Sequence, residues 1–206
     1  MSSLPNRQVF VGRDNRTTPL LYPLTEFYGS EGAELPETRE ISPDEMPEPY
    51  RRLLVHNSEM TPSLEAAWGG KLHVRAVRHA RQGSVYMRQS LLLLDGSETV
   101  TAMGAISINL DRFPERARRL ILEEHVPLGG ILRDHGIEHR CRPVAYFRVA
   151  ADSTIGELLV VKTGGELFGR HNVMWDAREQ VLAEVIEILP PKNPPNLAAR
   201  KDTEGV

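Results

Sequence analysis

Residues 84–110 read SVYMRQSLLLLDGSETVTAMGAISINL. Two apolar-rich runs, 84–94 and 99–110, are joined by Asp95-Gly96-Ser97-Glu98, the composition of a hairpin turn. A tight hairpin commits its strands to antiparallel pairing. Upstream, KLHVRAVRHA (71–80) alternates apolar and polar residues and reads as another strand. Downstream, VAYFRVA (144–150), LLVVKT (158–163) and VLAEVIEILPP (181–191) continue the series. Helical signals fall between the strands. Ser42-Pro43-Asp44-Glu45 is a capped start, interrupted by Pro47 and Pro49, and Thr61-Pro62 opens a short helix that Gly69-Gly70 closes. Pro114 begins a helix with Ala117, Leu120, Ile121 and Glu124 at helical spacing, and residues 127–136 give one more, stopped at Gly136. Antiparallel strands with interposed helices predict an α+β fold.

The chain has 206 residues, enough for one domain with its own core. Residues 1–18 are polar and unpatterned, and the end is rich in proline and charge. The expected division is a mobile segment 1–18, a single domain 19–191 and a mobile tail 192–206. Hydrophobic residues make up 40% and the net charge is −3 with both signs interleaved, so no basic stripe points to nucleic acid. The N-terminus lacks a signal-peptide core and the longest apolar run, Leu91–Leu94, cannot span a bilayer, so a soluble cytoplasmic chain with no membrane partner is expected. Cys141 is the only cysteine, which excludes an internal disulfide and reads as a structural thiol.

Signatures of phosphate loops, dinucleotide folds, zincins and serine hydrolases are missing. His135 and His139 stand at the spacing of a helical metal pair, but Gly136 between them breaks the helix. Two features need explanation. Arg88 sits in mid-strand, sharing a face with Tyr86, Ser90 and Leu92; it is either an exposed edge charge or a buried fork for a ligand carboxylate. Arg170, after the GGELFG bend, has the same two readings. The strand 181–191 is apolar on both faces yet carries Glu184 and Glu187, three apart and therefore on opposite faces of a regular strand. Only one of them can look into a pocket.

In order, SEMTPSL (58–64), RQSLLLLDG (88–96), PLGGIL (127–132), LFGRHN (167–172) and LAEVIEILP (182–190) resemble the chorismate pyruvate-lyase family, which includes 4-hydroxybenzoate synthases. The resemblance covers about residues 58–191. Ala183 replaces the family's threonine before the glutamate, two extra residues separate Glu184 from Pro190, and Arg170-His171-Asn172 replaces an Arg-Arg-Ser sequence.

The resemblance implies an antiparallel sheet with helices on one side and helical flaps closing a ligand pocket. It implies elimination of pyruvate from chorismate to leave 4-hydroxybenzoate or a related hydroxylated aromatic acid, without metal or organic cofactor. Arg88 would bind substrate carboxylate, and Glu184 would be the catalytic acid. Met60, Leu128 and Gly129 would line the pocket, with Arg170 as a further substrate contact. The same fold also serves as the effector-binding domain of some bacterial repressors, so a non-catalytic module for an aromatic carboxylate is the rival reading. A third is a member without activity, its Arg88 and Glu184 merely paired with each other.

Overall fold

Gly96, in the left-handed region at φ 74°, turns the chain between β3 (Val85–Leu94) and β4 (Val100–Asn109). The computed structural model describes residues 19–198. β2 (Leu72–Gln82) pairs with β3 to complete one antiparallel meander. A second meander is built from β5 (His139–Ala150), β6 (Glu166–Asp176) and β7 (Val181–Leu189), with the short β1 (Thr38–Ile41) on its outer edge. β7 returns beside β4 and welds the meanders into one seven-stranded sheet, β1-β5-β6-β7-β4-β3-β2, antiparallel at every pairing. β7 is therefore the middle strand, which explains why 181–189 is apolar on both faces.

On one face lie α1 (Leu24–Glu31) and α6 (Ser153–Leu159), burying Leu24, Phe27, Ile155 and Leu159 against Met103, Ile186 and Ile188. Each such side chain contributes about 1.5–3 kcal/mol on leaving water. The opposite face carries the flaps: α2 (Tyr50–Leu54) and α3 (Met60–Trp68) over one end, α4 (Glu115–Glu123) and α5 (Leu128–Asp134) over the other. The flaps pack two separate apolar clusters onto the sheet, and a cavity opens where those clusters meet. Fold class and architecture agree with the sequence reading.

Local differences have physical causes. Residues 158–163 are no strand: Asp152 accepts from the Ile155 amide at 2.8 Å and caps α6, which runs into this segment before the chain turns. β5 begins at His139, five residues before the alternating run. Residues 192–198, assigned above to the tail, carry α7 (Pro195–Ala198), and Asn196 Nδ2 donates to the Ala66 carbonyl of α3 at 3.0 Å. The segments 1–18 and 199–206 lie outside the described residues. No helix among the described residues is long and apolar enough to cross a membrane.

Candidate ligand-binding site

The hairpin supplies the cavity floor. Alternation along β3 sends Arg88, Ser90 and Leu92 to the flap side, while β4 offers Ala102, Gly104 and Ile106 beside them. β7 adds Val185 and Glu187 to the same surface. The roof is Met60 at the start of α3 and the Pro127-Leu128-Gly129 entry to α5, with Glu59 at the seam. The cavity measures about 60 Å³, room for a few waters and well below the ~300 Å³ at which drug-sized ligand sites begin. The flaps are closed.

Arg88 is only 3% exposed. Its Nη1 donates to the Ile121 carbonyl at a long 3.4 Å, and its Nε has no hydrogen-bond partner. Desolvation holds its pKa below the ordinary guanidinium value, against smaller opposing effects of Tyr86 and Glu124. Glu124 does not neutralise it by direct pairing: that carboxylate accepts from the Tyr86 hydroxyl and lies 3.0 Å from His79 Nδ1. Burial and the bond to Glu124 push the Tyr86 hydroxyl's pKa up, so it remains a donor. Arg88 is thus a buried cation with one N–H lacking a partner, on a residue that lines the cavity.

Of the two carboxylates on β7, the one facing this cavity is Glu187, not Glu184. Glu187 stands opposite Gly104 on β4 and Arg170 on β6. Arg170 Nε donates to Glu187 Oε2 at 2.5 Å, and its other nitrogens reach the carbonyls of Leu54, His56 and Ser58 at 2.9–3.1 Å. Arg170 is fully buried behind the cavity wall and lines no part of it. It is a clamp joining β6, β7 and the loop that leads into the flap α3. Glu184 is carried to the opposite face, where its Oε2 lies 3.3 Å from His171 Nε2 and its register partner Ser107 accepts from the Tyr22 hydroxyl at 3.1 Å.

Of the sequence-derived candidates, the structure therefore brings Met60, Arg88, Leu128 and Gly129 together and leaves Arg170 and Glu184 out. The pairing of Arg88 with Glu184 that defined the third reading does not occur, since the sheet lies between them. Sequence reasoning missed Glu187, Gly104 and Glu59 as cavity residues. A buried arginine requires a partner on its own face of the sheet, and the register that makes Glu187 the partner of Arg170 is set by the pairing of β6 with β7, which the sequence alone does not show. Cys141 is buried, accepts from Asn172 Nδ2 at 2.9 Å, and is pushed up to about 11 by burial, so it is an inert thiol. Among the described residues no three potential metal ligands cluster.

No protein-family model matches the sequence, and no curated protein matches it. Solved structures do. PhnF from Mycobacterium smegmatis is similar at TM-score 0.52 and 15% identity, covering 66% of this chain and 65% of that one, so the present chain spans somewhat under two thirds of PhnF. The separate effector domain of PhnF gives TM-score 0.52 and 14% identity over 67% of this chain and 91% of that one. Gene product SA0254 of Staphylococcus aureus follows at 0.50 and 8%, over 66% and 90%. At such identities the likeness establishes the fold, an α+β sheet of the chorismate lyase-like kind. The expected carbon–oxygen lyase is corrected here: the solved structures similar in fold include the effector domain of PhnF, and the intended acid, Glu184, faces away from the cavity.

Proposed function

We propose that this domain is a non-catalytic sensor that binds a small organic anion, specifically an aromatic carboxylate, between Arg88 and the flaps. The observation that carries the reading is the buried Arg88 guanidinium, whose Nε is unpartnered, in the lining of a cavity walled mainly by apolar side chains with Ser90, Glu59 and Glu187 among them. A ligand carboxylate would meet that fork in a dry site, where attraction is strong and geometry selective. Met60, Leu128 and Ile106 would enclose an aromatic ring. Arg170 occupies Glu187 Oε2 and leaves Oε1 free to accept from a ligand hydroxyl. The closed cavity is smaller than such a ligand, so α3 and α5 must part to admit it. PhnF carries a domain of this fold as its effector domain, which supports a sensing part for the present chain. The reading is compatible with a nucleic-acid-binding companion, which net charge alone had set aside.

Titration calorimetry with benzoate, 4-hydroxybenzoate and inorganic phosphate tests the proposal. Binding of both carboxylates and its loss by at least about 30-fold in Arg88→Met, the scale of a buried charged partner, are expected. Equal affinity in Arg88→Met would remove the site. Incubation with chorismate is expected to release no pyruvate.

A further inference from the structure

We propose that Glu59 and His139 form a proton-dependent latch on the seam between the two flaps, controlling passage of ligand to the Arg88 cavity. The proposal rests on the reading above for its ligand. Its geometry stands on its own.

Glu59 is the residue immediately before α3, and it forms wall in three places at once. It lines the Arg88 cavity, an open groove with Trp175 and Arg142, and a third hollow against α5. Gly129, at the start of α5, lines both the cavity and that hollow. A Cβ on Gly129 would come within 3.2 Å of Glu59 Cβ and of Thr61 Oγ1, so the two flaps touch here with no room for a side chain. The seam is thus one residue thick between outside and inside. Beside it, the Glu59 carboxylate is bonded to His139 Nε2 at the start of β5, both side chains being mostly buried, so the pair fastens the head of α3 to the sheet where the flaps meet.

The partner of the other ring nitrogen settles the protonation. His139 Nδ1 lies 2.8 Å from the Ile137 carbonyl, which accepts and cannot donate, so Nδ1 carries a hydrogen. Neutral His139 would then turn the lone pair of Nε2 toward a carboxylate, an arrangement that repels. The bond to Glu59 exists only when the pair holds a further proton, as imidazolium and carboxylate. Loss of that proton turns the latch from attraction to repulsion and frees the seam.

The surrounding charges do not compete for the role. His56, on the loop before Glu59, gives its Nε2 hydrogen to the Leu53 carbonyl and accepts at Nδ1, and burial pushes its pKa down, so it stays neutral. Arg170 and Glu187 are committed to each other, Arg140 pairs with Glu179, and Arg133 bonds Asp134. Glu138 is exposed and Arg142 lines the outer groove.

Two measurements separate this proposal from the reading it rests on. In ligand-free protein, hydrogen exchange of the α3 amides Leu64–Ala67 and the α5 amides Ile131 and Leu132 is followed from pH 6 to 8.5. After correction for intrinsic rates, protection is expected to fall at least about fivefold with rising pH in the parent. In Glu59→Gln and His139→Gln it should be independent of pH. In parallel, stopped-flow release of 4-hydroxybenzoate, read by Trp68 and Trp175 fluorescence, should quicken with pH in the parent alone. Protection that does not vary with pH in the parent, or varies equally in both variants, overturns the latch even if 4-hydroxybenzoate binds. A pH-dependent flap with no carboxylate bound by any form would uphold the latch and overturn the ligand assignment.

Discussion

Arg170 Nε donates to Glu187 Oε2 at 2.5 Å in the middle of the sheet, with the arginine side chain 0% exposed and the glutamate 8%. Glu187 lines the cavity, and Arg170 behind it, through three carbonyls of residues 54–58, fixes the loop from which the flap α3 starts. Breaking such a pair from one side leaves a buried charge and unmet acceptors, which typically costs about 3–5 kcal/mol. Arg170→Met is expected to lose that much in urea unfolding. Glu187→Gln, which retains an acceptor for Nε, should lose clearly less. A loss below about 1 kcal/mol in Arg170→Met would mean the clamp is replaceable by packing.

His56 gives the pH dependence. Its Nε2 donates to the Leu53 carbonyl and its Nδ1 receives the Ser58 hydroxyl and an Arg170 nitrogen, so the fold requires the neutral ring. Its pKa is lowered from 6.5, first by burial and then by Arg170. Below 6.5 the unfolded chain takes up a proton that the folded chain refuses, so this group's contribution is complete above 6.5 and is lost as pH falls toward the folded value. Urea midpoints between pH 8 and 5 should decline more steeply in the parent than in His56→Gln. Parallel declines would show that His56 does not contribute.

Gly169 shows why the LFGRHN stretch needs its glycine. It lies opposite Phe147, and a Cβ would fall 2.5 Å from the Glu187 carbonyl and 2.6 Å from the Phe147 ring. The backbone oxygen cannot move without disturbing the strand that presents Glu187. Gly169→Ala is expected to lose about 1–3 kcal/mol in stability, as overpacked cores do. Gly104→Ala makes the useful contrast: its Cβ meets only the Ile186 carbonyl at 3.4 Å, and the variant should fold normally. Equal stability of the two variants would show the Phe147 contact to be soft.

The hairpin of 84–110 was legible because alternation and turn chemistry are local, and so was the placing of Arg88 on the face of Ser90 and Leu92. Segment 158–163 was not, because Val160 and Val161 look like strand while the Asp152 cap that decides for a helix lies upstream. The two carboxylates of β7 mark the real limit. Their spacing shows that they face opposite ways, but which face holds the cavity depends on β7's pairing with β4 and β6, a relation between distant segments that no local pattern contains.

That choice of face has a direct consequence for ligand discrimination. Glu184 belongs to the α1 side, near His171, with the sheet between it and Arg88. Glu184→Gln should therefore leave the affinity for 4-hydroxybenzoate within about twofold, a difference of ~0.4 kcal/mol. Glu187 is different. In Glu187→Gln the buried Arg170 Nε–H still demands an acceptor, so the amide oxygen must turn toward it and the amide NH₂ toward the cavity. An acceptor aimed at the ligand becomes a donor, and a hydroxyl that had donated to a charged oxygen loses a bond of about 1.5–3 kcal/mol. The preference for 4-hydroxybenzoate over benzoate should fall by about tenfold or more, with benzoate itself bound nearly as before. Calorimetry on both ligands reads the ratio without reference to overall stability. If Glu184→Gln collapses the ratio and Glu187→Gln does not, the ligand lies on the α1 face, and Arg88 must give up its role.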